Sequence, residues 1–180
     1  VFNPPPTTIQ NFKTKQIYKL APLVSDGKTR NQLIKDVYNC CSEDLIYKTL
    51  FQDRHPEGYS LQHAENFINY SEEGWIKQTH FIFGIFHPET NQLVGAIDIK
   101  SANKEKAEVG YWLSKNFSGL MTNALIAITK IAQKAGYQSL EIYTEVSNQK
   151  SERVVQRAGF QFQVIKSEEG EVRKYHLLKL

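Results

Sequence analysis

Near Ser114 the hydrophobic period of the chain switches from that of a strand to that of a helix, and the switch constrains what lies on either side. Before it come three apolar runs. Residues 80–86 and 93–99 flank His87-Pro88-Glu89-Thr90-Asn91, a turn sequence that predicts a hairpin, and 107–113 follows a polar turn at 101–106. After it, Leu120, Met121, Ala124, Leu125, Ile128, Ile131, Ala132 and Ala135 form one apolar stripe of a helix that Gly136 ends. A strand over 140–144, a short helix over 148–158 stopped by Gly159, and strands over 160–165 and 172–178 around a turn at 167–170 complete this half. A meander that feeds a helix and then returns to strands predicts an α+β sheet with helices on both faces.

The first half reads more simply. Ile17, Tyr18, Leu20 and Leu23 predict a strand closed by Ser25-Asp26-Gly27. Apolar residues between 31 and 51 recur at helical spacing, with Ser42 as a cap between two short helices, and 54–58 breaks the pattern. A further helix over 60–73 takes Ser60 as its N-cap and Gly74 as its stop. Residues 1–12, with Pro4-Pro5-Pro6, read as an extended arm that packs little of itself, ahead of one domain over 13–180. The start at Val1 suggests a processed N-terminus or the edge of a longer chain.

Bulk properties exclude several classes. A length of 180 residues suits one domain, and 41% apolar with 23% charged residues is a globular composition. The formal charge of +3 comes without a long Lys/Arg run, which argues against nucleic acid as a partner. No apolar run is long enough to span a bilayer, so no membrane partner is expected. Cys40 and Cys41 are adjacent, a strained arrangement for a mutual disulfide, and no Cys/His spacing suggests a metal site. A reducing cytoplasm is the expected home.

Two segments carry a resemblance. One is Ala107-Glu108-Val109-Gly110-Tyr111-Trp112-Leu113, followed by Gly119-Leu120-Met121-Thr122-Asn123-Ala124-Leu125. The other is Asn148-Gln149-Lys150-Ser151-Glu152-Arg153-Val154-Val155, closing in Arg157-Ala158-Gly159-Phe160. In this element order they resemble the GNAT superfamily of acyl-CoA N-acyltransferases, in the branch of ribosomal-protein N-terminal alanine/serine acetyltransferases. The resemblance implies a mixed, mostly antiparallel sheet with a splayed central strand pair. It also implies acetyl-CoA as co-substrate, no metal, and direct transfer in a ternary complex to a primary amine. A protein N-terminal α-amine leads the acceptors, with a polyamine or amino-sugar next; a catalytically impaired CoA-binding or interaction module is the non-enzymatic alternative. Monomer and homodimer both remain open.

The resemblance also assigns residues. Ser118, Gly119, Leu120, Met121 and Thr122 form the turn and helix start that would meet the pyrophosphate, where N–H groups and the helix dipole favour an anion. The family's earlier glycine is absent from that turn, which is about two residues short, so Ser114, Asn116 and Ser118 are the alternative donors. An ordinary strand-to-helix loop is the competing reading. The strand carrying Tyr111, Trp112 and Leu113 would pair with pantetheine amides, and an N–H near Leu113 would polarise the thioester carbonyl. Glu108 is the candidate base and Glu145 a lesser one; a salt-bridged strand carboxylate is the alternative for both. Many superfamily members place a tyrosine acid where this chain has Val155; the branch it resembles instead uses a serine three residues after the asparagine as donor, which implies Ser151, while Asn148 and Arg153 would hold cofactor or main chain. Helix capping alone would also account for Asn148 and Ser151. His55, His63, His80 and Tyr143 are weaker candidates for the acceptor side.

Overall fold

The computed structural model describes every residue except 169 and 170. The chain runs β1 (Thr7–Gln10), β2 (Ile17–Pro22), α1 (Arg30–Cys41), α2 (Asp44–Ile46) with a π-helical turn over Tyr47–Phe51, α3 (Leu61–Lys77), β3 (Phe81–Phe86), β4 (Leu93–Ile99) and β5 (Ala107–Leu113). After a 3-10 turn over Lys115–Phe117 come α4 (Met121–Lys134), β6 (Ser139–Glu145), α5 (Gln149–Arg157), β7 (Gln161–Glu168) and β8 (Glu171–Lys179). The eight strands form one sheet in the order β1-β2-β3-β4-β5-β6-β8-β7. Every neighbouring pair is antiparallel except β5 and β6, which are parallel.

β3 and most of β4 are buried on both faces, which is why they read as continuous apolar runs. Two apolar clusters lie on opposite faces of this centre. On one, Val109, Leu120, Leu125, Ile128, Leu140, Ile142 and Val155 join β5 and β6 to α4 and α5. On the other, Leu33, Val37, Ala64, Ile68, Leu93 and Trp112 join β4 and β5 to α1 and α3. Burying each such side chain contributes about 1.5–3 kcal/mol. Among the described residues no helix is long and apolar enough to cross a membrane.

Three expectations change. The arm is packed, not loose: Phe2 meets Trp75 and Phe81 with ring centroids 5.9 and 4.4 Å apart, and its N–H donates to Gln78 Oε1 at 2.6 Å. Its later part forms β1, which pairs with β2 through a turn closed by Asn11 N to Gln16 O. A proline run sets local backbone preference, but one aromatic beside a core decides docking.

Gly74 does not stop α3, which continues to Lys77 and closes on Gln78 at φ 56. Gly74 lies on the buried face, where a Cβ would strike the ring and carbonyl of His80. The glycine lets β3 enter close under the helix. Ser42 caps α1 at its C-terminal end, and Glu43 holds the N-cap of α2. The turn expected at 167–170 lies in part outside the described residues; Ser167 and Glu168 extend β7, pairing with Val172 and Glu171.

Candidate active site

The parallel pair β5–β6 is where the sheet opens. β5 stays bonded to β4 from Ile99↔Val109 to Gly95↔Leu113, and β6 stays bonded to β8 out to Glu145↔Arg173. Between β5 and β6 only Ala107↔Leu140 and Glu108↔Glu141 are paired. Beyond Glu108 the two strands part. Lys100 N donates to Glu108 O and Ser114 N to Val94 O, so the residues that alternate with them, Tyr111 and Leu113, turn their main-chain N–H and C=O away from β4. Those groups face the fork, where an extended amide chain can pair with them.

Each face of the fork has its own chemistry. On the α4/α5 face, Tyr111 reaches across to α5, its hydroxyl 2.6 Å from Ser151 Oγ. Burial pushes the Tyr111 phenol up to about 12, against the lowering effect of the Ser151 hydrogen bond. Asn148 caps α5, its Oδ1 accepting from Ser151 N at 3.0 Å. Asn148 is therefore the cap, whereas the Ser151 hydroxyl is free of capping duty. Val155 is fully buried in the core. Arg153 points out to solvent from α5.

The glycine turn leads to the start of α4. Gly119 has φ 105, and its carbonyl accepts from Phe12 N at 3.1 Å. Asn11 Nδ2 donates to Ser118 O at 3.2 Å, and Lys13 Nζ to Ser118 Oγ at 3.0 Å. The β1–β2 turn therefore braces this loop and brings a cation to it. Leu120 and Met121 bury their side chains in the core, leaving only their main chain for a ligand. The N-cap position of α4 makes no side-chain hydrogen bond, and the Thr122 hydroxyl is buried without a hydrogen-bond partner among the described residues. Unpaired donors at a helix start fit a phosphate. Ser114 cannot help, because its hydroxyl donates to Glu43, whose other oxygen accepts Lys115 N at 2.8 Å.

On the opposite face, Glu108 stands at the foot of the fork in an ion pair with Lys100. Beside it, Asp98 Oδ1 accepts from Gly110 N at 2.6 Å. Burial pushes the Asp98 carboxyl up, while Lys100 and the Gly110 N–H oppose the rise and Glu108 adds to it. Gly110 leaves this spot open; a Cβ there would lie 3.0 Å from both Asp98 Oδ1 and Lys100 Cε. At the mouth of the fork burial raises Glu145, helped by Glu171 and by Asp53 from the segment before α3. Trp112 belongs to this face, 7% exposed and packed toward Phe67, on the side of the sheet away from α4 and α5.

The weaker candidates have structural partners. His63 Nδ1 accepts Ser60 N in a capping box and stacks on His55 with centroids 3.8 Å apart. His80 stacks on Tyr70, and Tyr143 receives a hydrogen bond from Lys166 Nζ at 3.0 Å.

The family model for the acetyltransferase (GNAT) domain matches residues 30–161. The chain is a GNAT acetyltransferase. Members of this family are acetyl-CoA-dependent N-acetyltransferases. A search of curated protein sequences gave no match. Among solved structures the chain is similar to Mycobacterium smegmatis RimJ in complex with CoA-disulfide, at 12% identity and TM-score 0.76, covering 97% of this chain and 86% of that one. It is also similar to the Salmonella typhimurium acetyltransferase that modifies the N-terminal serine of a 50S ribosomal subunit protein, at 18% identity and TM-score 0.71, covering 97% and 99%. A third likeness is the microcin C7 self-immunity acetyltransferase MccE in complex with acetyl-CoA and AMP, at 20% identity and TM-score 0.72, covering 91% and 92%. Likeness at these identities bears on the fold.

Lys13, Asp98 and Lys100 escaped the sequence reading. Lys13 lies in the β1–β2 turn, 105 residues from Ser118, and nothing local marks it. Asp98 did leave a signal: it is the one charged residue in the apolar run 93–99. A buried carboxylate needs a partner.

Proposed function

We propose that this acetyltransferase moves the acetyl group of acetyl-CoA to a protein N-terminal α-amine, by direct attack in a ternary complex. The observation that carries the reading is the fork, with a serine hydroxyl on one face and a carboxylate at its foot on the other. Main-chain groups of Tyr111 and Leu113 would receive the pantetheine amides and polarise the thioester carbonyl. The turn Ser118-Gly119 and the start of α4, with Thr122 and Lys13, would hold the pyrophosphate; Lys13 replaces the charge complementarity that the shortened turn lacks. Glu108 takes a proton from the incoming amine, and Ser151 returns one to the departing sulfur. The two free, buried thiols Cys40 and Cys41 suit a reducing compartment.

The choice of acceptor leans on the likeness to the Salmonella typhimurium acetyltransferase that modifies the N-terminal serine of a ribosomal protein. A second reading has its own observation: Glu145 at the mouth of the fork faces Asp53 and Glu171, the latter paired with Arg173 at 2.7 Å, an acidic balance that suits a cationic small amine. One experiment separates them. Acetyl-CoA is titrated calorimetrically, and thiol release is then followed with peptides beginning in Ser or Ala, and with spermidine and an aminoglycoside. Turnover with the peptides alone supports the α-amine reading. Turnover with the small amines alone replaces it, and absence of acetyl-CoA binding at millimolar concentration removes both.

A further inference from the structure

We infer that Tyr111 is the positioning residue of the proton donor Ser151, so that protonation of the leaving sulfur is the work of a two-hydroxyl pair bridging β5 and α5. The inference rests on the proposed role of Ser151 and adds to it a second residue from the other side of the fork.

The geometry argues for a built pair. Ser151 carries the only hydroxyl of α5, and its backbone N–H is already tied to Asn148 Oδ1 at 3.0 Å, which fixes its place in the first turn. Tyr111 comes from 40 residues away and ends 2.6 Å from Ser151 Oγ, with Ser151 O a longer 3.4 Å from the same hydroxyl. The residues beside Tyr111 on its face of β5, Val109 and Leu113, are apolar, so a phenylalanine would serve packing equally well. A buried hydroxyl here is costly unless its hydrogen bond is used.

A phenol is a stronger acid than an aliphatic alcohol, so Tyr111 donates and Ser151 Oγ accepts. That arrangement leaves the Ser151 proton pointing away from Tyr111. As the C–S bond of the tetrahedral adduct breaks, its electron pair passes to sulfur, and sulfur takes the Ser151 proton. Ser151 Oγ is refilled by the Tyr111 proton. The phenolate then recovers, through solvent, the proton that Glu108 took from the acceptor nitrogen, so no charge or proton is left over. The N-terminal end of α5 favours the negative charge that passes through Oγ.

The test is a double-mutant cycle of Y111F and S151A, read by thiol release from acetyl-CoA. It is run with a Ser-initiated peptide and with water as acceptor, since slow hydrolysis needs the same thiolate protonation. Y111F should lower kcat by about tenfold or more. The KM and calorimetric Kd for acetyl-CoA should stay within about twofold of the parent, because the ring still fills its place. The double variant should be no slower than S151A. If S151A is slow while Y111F turns over like the parent, or if the two losses multiply in the double variant, the Tyr111 inference falls and the Ser151 reading stands. If S151A itself retains the parental rate, the proposed donor is wrong and Tyr111 falls with it. A Tyr111 hydroxyl that only tethers α5 to β5 would instead weaken acetyl-CoA binding in both backgrounds.

Discussion

Alanine at Gly119 perturbs the brace of the cofactor turn, and Gly136 provides the internal reference. Both glycines have positive φ, 105 and 85, so each alanine accepts a left-handed backbone at about 1–2 kcal/mol. At Gly136 a Cβ meets nothing within 4 Å, and that strain is the whole cost. At Gly119 the Cβ would press on Asn11 Oδ1 and lie 3.2 Å from Asn11 Cγ and 3.1 Å from Lys13 Cγ. Asn11 is 2% exposed and has little room to move. Its side chain donates to Ser118 O at 3.2 Å and accepts from Lys13 N at 2.9 Å and Thr14 N at 3.3 Å. Losing two or three of these at about 1 kcal/mol each takes Gly119→Ala to about 3–5 kcal/mol, against about 1–2 for Gly136→Ala. Urea denaturation at constant m-value measures both. Calorimetry with acetyl-CoA should find weaker binding for Gly119→Ala alone. Equal destabilisation of the two variants would refute the Asn11 brace.

Lys13→Ala should weaken acetyl-CoA binding about three- to tenfold, with the difference shrinking at high salt because the contact is exposed; unchanged calorimetric affinity would remove Lys13 from the phosphate site. Glu108→Gln should lower kcat by about 10²-fold or more at neutral pH, measured by thiol release; a parental rate would return Glu108 to a simple partner of Lys100. At Glu72 burial raises the carboxyl pKa, but hydrogen bonds from Ser25 and Arg30 outweigh it and leave the pKa lowered. A lowered folded-state pKa stabilises above the unfolded value and loses that contribution as pH falls through the folded one. Glu72→Gln should therefore cost about 1 kcal/mol at neutral pH and nothing below that acidic window, in denaturation curves taken across pH.

Reading the chain in order recovered most of the fold because its signals are local. The alternation in 107–113 and the stripe on α4 are set by neighbours a few residues apart, and the segment 148–160 carries its capping asparagine, its hydroxyl and its terminating glycine together. Failures came where a residue answers to something distant in sequence. Gly74 looks like a helix stop until His80 is seen against it, and the arm looks loose until Phe2 meets Trp75.

The site divides in the same way. Glu108, Ser151 and the turn at Gly119 could be put forward as candidates through the resemblance, since each lies in a contiguous motif. Their meaning depends on partners the chain brings together only by folding: Tyr111 on Ser151 across 40 residues, Lys13 on Ser118 across 105, and Asp98 on Gly110 across a strand pair. Hydrophobic pattern and caps act over one or two turns of backbone and are written in the sequence itself. The parting of β5 from β6, and the hydroxyl pair held across it, arise because β4 and β8 pull the two strands toward different neighbours, and only the tertiary structure decides that.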